Sequence, residues 1–103
     1  MKPEGIALVQ KIEKELRQNH NKISFDFIQR ISNNSTGTYH QLSDNTRVCV
    51  LRLDTGHEVV GYARVLDKKN DDPAIGNKVA LDNATDELWS LIGTIAKLFI
   101  KEA

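Results

Sequence analysis

Several features that mark special classes of protein are scarce or missing in this chain of 103 residues. Its single cysteine, Cys49, has no partner for an intrachain disulfide. The 14 lysines and arginines are balanced by 14 aspartates and glutamates, and this zero net charge argues against a general binder of nucleic-acid phosphates. The most apolar run, Leu88 to Ile100, has 13 residues and includes Lys97, so it is too short and too polar to cross a bilayer.

The start of the chain lacks the uninterrupted apolar segment of a signal peptide, because Glu4, Glu13 and Glu15 break it. We therefore expect a cytosolic protein without a membrane partner. A chain of 11.6 kDa folds to about 5,800 Å² of surface, which leaves room for one small core. Residues 1–103 are accordingly predicted to form a single domain.

Patterns that carry common enzyme and metal chemistry are also missing. The sequence has no nucleotide-binding glycine loop, no paired-cysteine metal spacing and no His-Glu-x-x-His motif. Cys49 falls on the core face of a predicted strand, where a buried thiol has a raised pKa and is unreactive. His20, His40 and His57 lie on separate predicted elements, which does not favour a zinc site. We expect no enzyme activity, no cofactor and no metal.

The N-terminal part, residues 1–31, is predicted to be helical. Its first helix is amphipathic, because apolar residues recur at spacings of three and four: Ile6, Val9, Ile12 and Leu16, with Leu8 beside them. The segment that follows fits two structures. Ile23, Phe25 and Phe27 alternate as in a strand, whereas Ser24 as an N-cap suits a short helix, which we favour.

Residues 32–46 are predicted to form a loop, because they are rich in Ser, Asn, Thr and Gly. Residues 47–66 are predicted to form a β-hairpin with Gly56 as a bulge after a type I turn. This register opposes Arg52 to Glu58 and collects small and apolar residues on the other face, where a helix can lie close. That face consists of Cys49, Leu51, Leu53, Val59, Gly61, Ala63 and Val65.

Residues 72–102 are predicted to form one long helix, capped by Asp72 with Pro73 in its first turn. The helix is apolar on two adjacent flanks, and about 43 Å of it exceeds the core of a small monomer. The sequence therefore predicts an α+β fold: an amphipathic helix, a short second helix, and a hairpin packed on a long C-terminal helix. We expect a homo-oligomer in which one flank meets the rest of the chain and the other meets a second copy, although a compact monomer covering both flanks is the alternative. The interface candidates are Leu88, Trp89, Ile92, Ile95 and Phe99.

The polar face of the hairpin offers a candidate ligand site. Its cations are all arginines, whose planar guanidinium groups beside an aromatic ring suit a phosphate and a base, or a carboxylate of a partner. Arginines on an exposed strand also serve solubility and protect a sheet edge, and this second explanation stays open. The candidates are Arg47, Arg52, His57, Tyr62 and Arg64.

The C-terminal half resembles a family of small phage proteins named for gene product forty-nine of a coliphage and gene sixty-six of a Shigella phage. The resemblance covers about 55 residues and rests on the order and spacing of short motifs. A strand, a turn that ends in glycine and a second strand come first, and an acidic loop and a helix follow. The motifs are Val48 to Leu53, Gly56, Val59 to Gly61, Ile75-Gly76-Asn77-Lys78, Asn83-Ala84 and Leu88-Trp89. It implies a non-structural accessory protein of a phage or prophage, made in the bacterial cytoplasm.

Two functions follow as expectations. The first is a non-enzymatic binding protein that acts in host takeover or counter-defence, by occupying a host defence protein or by sequestering an anionic nucleotide signal such as a cyclic nucleotide. The second is a nucleic-acid-associated regulator, which the balanced charge does not favour.

Overall fold

The computed structural model describes residues 3–65 and 72–100. Within these residues the fold has three helices and one three-stranded antiparallel sheet, and the long C-terminal helix packs on the sheet, which confirms the predicted α+β class. In chain order the elements are α1 (Pro3–Gln18), α2 (Phe25–Asn33), β1 (Thr36–Ser43), β2 (Thr46–Arg52), β3 (Glu58–Arg64) and α3 (Pro73–Phe99).

The first helix forms where the apolar spacing predicts it, but its buried stripe includes Leu8 in place of Ile6 and Val9. Leu8, Ile12 and Leu16 follow one another at intervals of four, and all three are buried in the core. The helix leaves Ile6 exposed. On the polar side of α1, Arg17 forms an ion pair with Glu13, which lies one helical turn before it.

The segment after α1 is a short helix, so the favoured alternative is confirmed. Ser24 is its N-cap, and the Ser24 Oγ accepts a hydrogen bond of 3.1 Å from the backbone N–H of Phe27. A helix turns Phe27, Ile28 and Ile31 to the same side, and all three are buried. Phe25, which a strand would have placed beside Phe27, is instead largely exposed.

The hairpin has the predicted turn and register. The backbone N–H of Leu53 donates to the oxygen of His57 at 2.8 Å, and Arg52 lies opposite Glu58. Gly56 has a φ of 91°, a left-handed conformation that a residue with a side chain rarely adopts. The turn chemistry alone therefore fixed which side chains face the core.

The predicted loop 32–46 is wrong over most of its length, because residues 36–43 form the edge strand β1. It runs antiparallel to β2, with Tyr39 opposite Cys49 and His40 opposite Val48. All eight of its residues are exposed, so the strand carries no alternating apolar pattern. Its structure depends on backbone hydrogen bonds to β2, a long-range feature that composition does not reveal.

Helix α3 lies across β3 and β2 and closes the core. One stripe of the helix is buried along its whole length: Gly76, Ala80, Ala84, Leu88, Ile92 and Ala96. The small residues of this stripe meet β3 at Gly61, where strand and helix backbones touch. The predicted close approach of helix and strand is thus confirmed.

The start of α3 matches the prediction, whereas its end comes earlier than the predicted residue 102, because Ile100 is already extended. The Asp72 side chain accepts a hydrogen bond of 3.0 Å from the backbone N–H of Ala74, with Pro73 in the first turn. The helix ends at Phe99, and Ile100 is its C-cap. The predicted hairpin end at Leu66 and the predicted helical residues 101 and 102 lie outside the described residues.

The chain is elongated, with extents of 53 × 26 × 21 Å. It exposes 7148 Å², compared with about 5,800 Å² expected for a compact protein of this mass. Among the helices of residues 3–65 and 72–100, none has the length and apolar character to cross a membrane.

Candidate functional site

The five candidate ligand residues do not share one face of the sheet. Arg47 lies opposite Ala63 and on the same side of β2 as the buried Cys49. Arg52, Tyr62 and Arg64 point to the other side, which carries none of the buried core side chains of β3. The strand parity that separates Arg47 from the others was visible in the sequence once the hairpin register was assigned.

Along that other side, the two arginines are far apart. Arg52 lies opposite Glu58 at one end of β3, and Arg64 lies at its other end, six residues away. At 3.3 Å per residue this places their backbones about 20 Å from each other. His57 immediately precedes Glu58 at the turn end. One small ligand therefore cannot be gripped by both arginines.

Tyr62 and Arg64 do form a local pair. The guanidinium carbon of Arg64 lies 5.9 Å from the centroid of the Tyr62 ring, within the range of a cation–π interaction. Tyr62 is 46% exposed, and its backbone oxygen accepts a hydrogen bond of 2.6 Å from the Asn83 side chain on α3. Strand β3 thus positions the Tyr62–Arg64 pair, and the hydrogen bond from Asn83 attaches this strand to α3.

An apolar strip lies beside this pair. Val48 is buried although it is on the side away from α3, and it lies between His40 of β1 and Tyr62 of β3. Val50 and Val60 oppose each other in the next pair and are half-buried. We call this surface the outer face and define it by Val48, Val50, Arg52, Glu58, Val60, Tyr62 and Arg64, with Thr38 and His40 from β1.

The contribution of β1 to the outer face was missed, because Thr38 and His40 fall in the predicted loop. The His40 ring nitrogen Nε2 lies 3.3 Å from Thr38 Oγ1, so the two side chains contact each other along the strand. The only signal in the sequence is that β-branched and aromatic residues occur between the glycine and serine of this segment.

A concave region, separate from the outer face, lies between α1 and α2. It has a volume of about 260 Å³, below the range of about 300 to 1,000 Å³ typical of small-molecule pockets. Three of its charged groups have partners within the chain: Lys11 Nζ lies 2.9 Å from Asp54 Oδ2, and Glu15 accepts from the Ser24 hydroxyl at 3.0 Å. This groove therefore joins the helices to the hairpin turn, and its remaining cations are Lys14 and Arg30.

Cys49 is fully buried, and burial raises the pKa of its thiol. The pKa of Tyr39, which pairs with Cys49 across the strands, is raised by partial desolvation of its hydroxyl, although the residue is 40% exposed, and by the nearby Cys49 thiolate. Both shifts favour the neutral forms of these groups. Within residues 3–65 and 72–100, no three His, Cys, Asp or Glu side chains come close enough to hold a metal ion.

The predicted oligomer interface on α3 needs correction. Leu88 and Ile92 have no exposed surface within a single chain, because both belong to the hydrophobic core of that chain. Ile95 is half-buried against the same core. Trp89 and Phe99 keep 39% and 41% of their surface exposed, so only these two remain accessible. The Trp89 ring also contacts Phe25 of α2, with centroids 5.9 Å apart.

Comparison with known proteins assigns the chain to a family. The sequence model of the phage protein (N4 Gp49/phage Sf6 gene 66) family matches residues 9–98, which is most of the chain and includes all three strands. Neither the curated proteins nor the solved structures contain a significant match.

Proposed function

Because the chain belongs to the phage protein family of N4 Gp49 and phage Sf6 gene 66, we propose that it is a non-enzymatic accessory protein with which a phage binds a host protein. The proposed place of action is the host cytoplasm, during host takeover or counter-defence. The proposed binding surface is the outer face of the sheet.

The observation that carries this proposal is the composition of the outer face. Three valines form its centre, and Tyr62 with Arg52 and Arg64 lies around them. Aromatic and arginine side chains around an apolar centre are typical of protein interfaces, where tyrosine and arginine supply much of the binding free energy. None of the described helices has its buried face on this side of the sheet.

The spacing of the charges also favours an extended partner. Arg52 and Arg64 are about 20 Å apart, a distance that suits a protein surface and exceeds most small ligands. Arg52 lies opposite Glu58, so part of its charge is balanced within the chain. This balance weakens the case for a nucleic-acid phosphate backbone, which attracts uncompensated cations.

Photo-crosslinking in infected cells tests the surface. A photoreactive phenylalanine derivative replaces Tyr62 in one variant and Thr94, an exposed residue of α3, in a control variant. We expect one host protein to be crosslinked by the variant with the photoreactive group at position 62 and not by the variant with this group at position 94. Crosslinking from position 62 to nucleic acid alone, or equal yields of the same proteins from both positions, would overturn the proposal.

The crosslinked host protein is then purified and titrated against the wild-type chain. We expect Tyr62→Ala to weaken binding by about 2 kcal/mol, as loss of an interface tyrosine does, with Thr94→Ala unchanged. Both variants must unfold at the wild-type temperature, since Tyr62 is half exposed and contributes little to the core. Equal affinities of the Tyr62→Ala variant and the wild type would contradict the assignment of the outer face.

A second candidate function rests on the Tyr62–Arg64 pair. A ring and a guanidinium 5.9 Å apart offer one stacking surface and one phosphate contact, which suits an anionic nucleotide. Cyclic dinucleotides and cyclic ADP-ribose variants are the probes, and the readout is the unfolding temperature. A rise that Arg64→Gln abolishes would support sequestration of a nucleotide signal. No rise with any probe would remove this candidate and leave protein binding in place.

A further inference from the structure

The backbone hydrogen bonds of the sheet show which groups of β1 point outward. Leu53 bonds to His57 and Val65 to Asn45, so alternate residues of β2, including Cys49, bond to β3. The residues between them, such as Val48, therefore bond to β1. Their partners on β1 are Thr36, Thr38 and His40, and the intervening residues direct their N–H and C=O groups away from the sheet. These outward residues are Gly37, Tyr39 and Gln41.

A bulge between Gln41 and Ser43, which is one feature that protects sheet edges from pairing, lies near the C-terminal end of β1, and the residues before it carry no other. β1 has eight residues with no charge and no proline, and every one is exposed. The opposite edge is different: β3 carries Glu58 and Arg64, and Asn83 donates a hydrogen bond to the outward oxygen of Tyr62. Long, uncharged and uncovered edges are the ones that pair with another strand.

We propose that β1 pairs antiparallel with β1 of a second copy of this chain, in a register centred on Tyr39. An antiparallel pair related by a two-fold axis joins outward residues with outward residues. With Tyr39 opposite the Tyr39 of the second copy, Gly37 lies opposite Gln41 on both sides of the axis. This register pairs all three outward residues of each copy and leaves none of them without a partner.

The surface around β1 leaves room for this pairing. Helix α3 packs on β3 and β2, and the side chains of β1 that face the helix side remain exposed. The chain exposes about 1,300 Å² more than a compact protein of its mass, and a standard interface buries about 800 Å² per partner. This excess is larger than the area that one partner buries in a standard interface.

Pairing of the two sheets also bears on the proposed function. Opposed residues of an antiparallel pair point to the same side, so the two copies of α3 lie on one side of a six-stranded sheet. The two outer faces then form one continuous surface with two Tyr62–Arg64 pairs. The self-pairing itself uses a different surface from the proposed host-protein contact, so either can fail without the other.

A charge exchange at the two-fold axis tests both the pairing and its register. Molecular mass is measured by sedimentation equilibrium for the wild type, Tyr39→Lys, Tyr39→Glu and an equimolar mixture of these two variants. We expect the wild type to have twice the 11.6 kDa of one chain. Each variant alone opposes two like charges, which raises the dissociation constant of the dimer by about tenfold or more. The mixture opposes unlike charges and is expected to regain the dimer.

Tyr62→Lys is the matched control, because Tyr62 has a similar exposed fraction, 46% compared with 40% for Tyr39, and lies on the other edge strand. We expect it to remain dimeric. If Tyr39→Lys does not fold, Gln41→Pro is used in its place. The N–H of Gln41 points away from β2, so proline at this position removes a donor of the proposed pairing and no hydrogen bond within the sheet. A monomeric wild type, a dimer that Tyr39→Lys leaves intact, or a dimer that only Trp89→Lys dissociates would overturn the proposal.

Discussion

Gly61 of β3 and Ala84 of α3 are in direct backbone contact. A Cβ atom at Gly61 would overlap the backbone nitrogen of Ala84 and the backbone oxygen of Ala80, and it would lie 2.7 Å from Ala84 Cα. No rotation of a side chain relieves such an overlap, because the atoms belong to the helix backbone. The position of α3 on the sheet therefore depends on the absence of a side chain at Gly61.

Gly61→Ala is expected to destabilise the protein by about 3 kcal/mol or more, because strand and helix must separate. Gly93→Ala on α3 is the control. A Cβ there meets nothing within 4 Å, so the better helix propensity of alanine is expected to raise stability by about 0.5 to 1 kcal/mol. Urea unfolding of both variants gives the two free energies. A loss below about 1 kcal/mol for Gly61→Ala would contradict the close packing.

The buried thiol of Cys49 predicts a pH dependence of stability. Its pKa is raised in the folded state, so the folded chain holds the proton at pH values where the unfolded chain has lost it. The free energy of unfolding contributed by Cys49 is thus fully present below its ordinary pKa of about 8.5 and is lost as the pH rises above it. Urea unfolding from pH 7 to 10 gives the free energy of unfolding of the wild type and of Cys49→Ala. The free energy of the wild type, relative to that of Cys49→Ala, is expected to fall as the pH rises. A constant difference would show that the thiol is not shielded.

Phe25 and Trp89 join α2 to α3 through an exposed ring contact. A double-mutant cycle with Phe25→Ala and Trp89→Ala is expected to give a coupling free energy of about 0.5 to 1.5 kcal/mol. Trp89→Ala alone should cost less than the 3 to 5 kcal/mol, roughly, of a buried tryptophan, because 39% of its surface is exposed. Strictly additive losses in thermal unfolding would mean that the two rings do not stabilise each other.

The N-cap of α3 is a further local test. Asp72→Ala removes the acceptor of the Ala74 N–H and is expected to cost about 1 kcal/mol. Asp72→Asn keeps an acceptor oxygen and should stay within about 0.5 kcal/mol of the wild type. Guanidinium unfolding separates the two variants. Equal losses would indicate that the charge of Asp72, rather than its hydrogen bond, stabilises the helix.

The parts of the fold that sequence reasoning predicted depend on local chemistry. The turn at Gly56 fixed the hairpin register, and with it the core face and the contact at Gly61. Ser24 and Asp72 marked the starts of two helices through the hydrogen bonds of their side chains. Each signal lies within a few residues of the structure that it specifies.

The parts that it missed depend on distant contacts. The strand β1 has no buried residue, so only its pairing with β2 distinguishes it from a loop. On α3, Leu88 and Ile92 belong to the core cluster that α1, α2 and the sheet also build, and the sequence does not show which residues of the long helix this core includes. The assigned register placed Arg52, Tyr62 and Arg64 on one side of the hairpin, as in the structure, but it did not show that Arg52 lies about 20 Å from Arg64 along the strands.

Amide hydrogen exchange at β1, measured residue by residue by NMR over a range of protein concentrations, tests the open edge most directly. If two copies pair through β1, the amides of Gly37, Tyr39 and Gln41 become protected as the concentration rises. Thr38 and His40 serve as internal references, since their bonds to β2 protect them at every concentration. Fast exchange of the three outward amides at all concentrations, beside protected Thr38 and His40, would contradict the pairing.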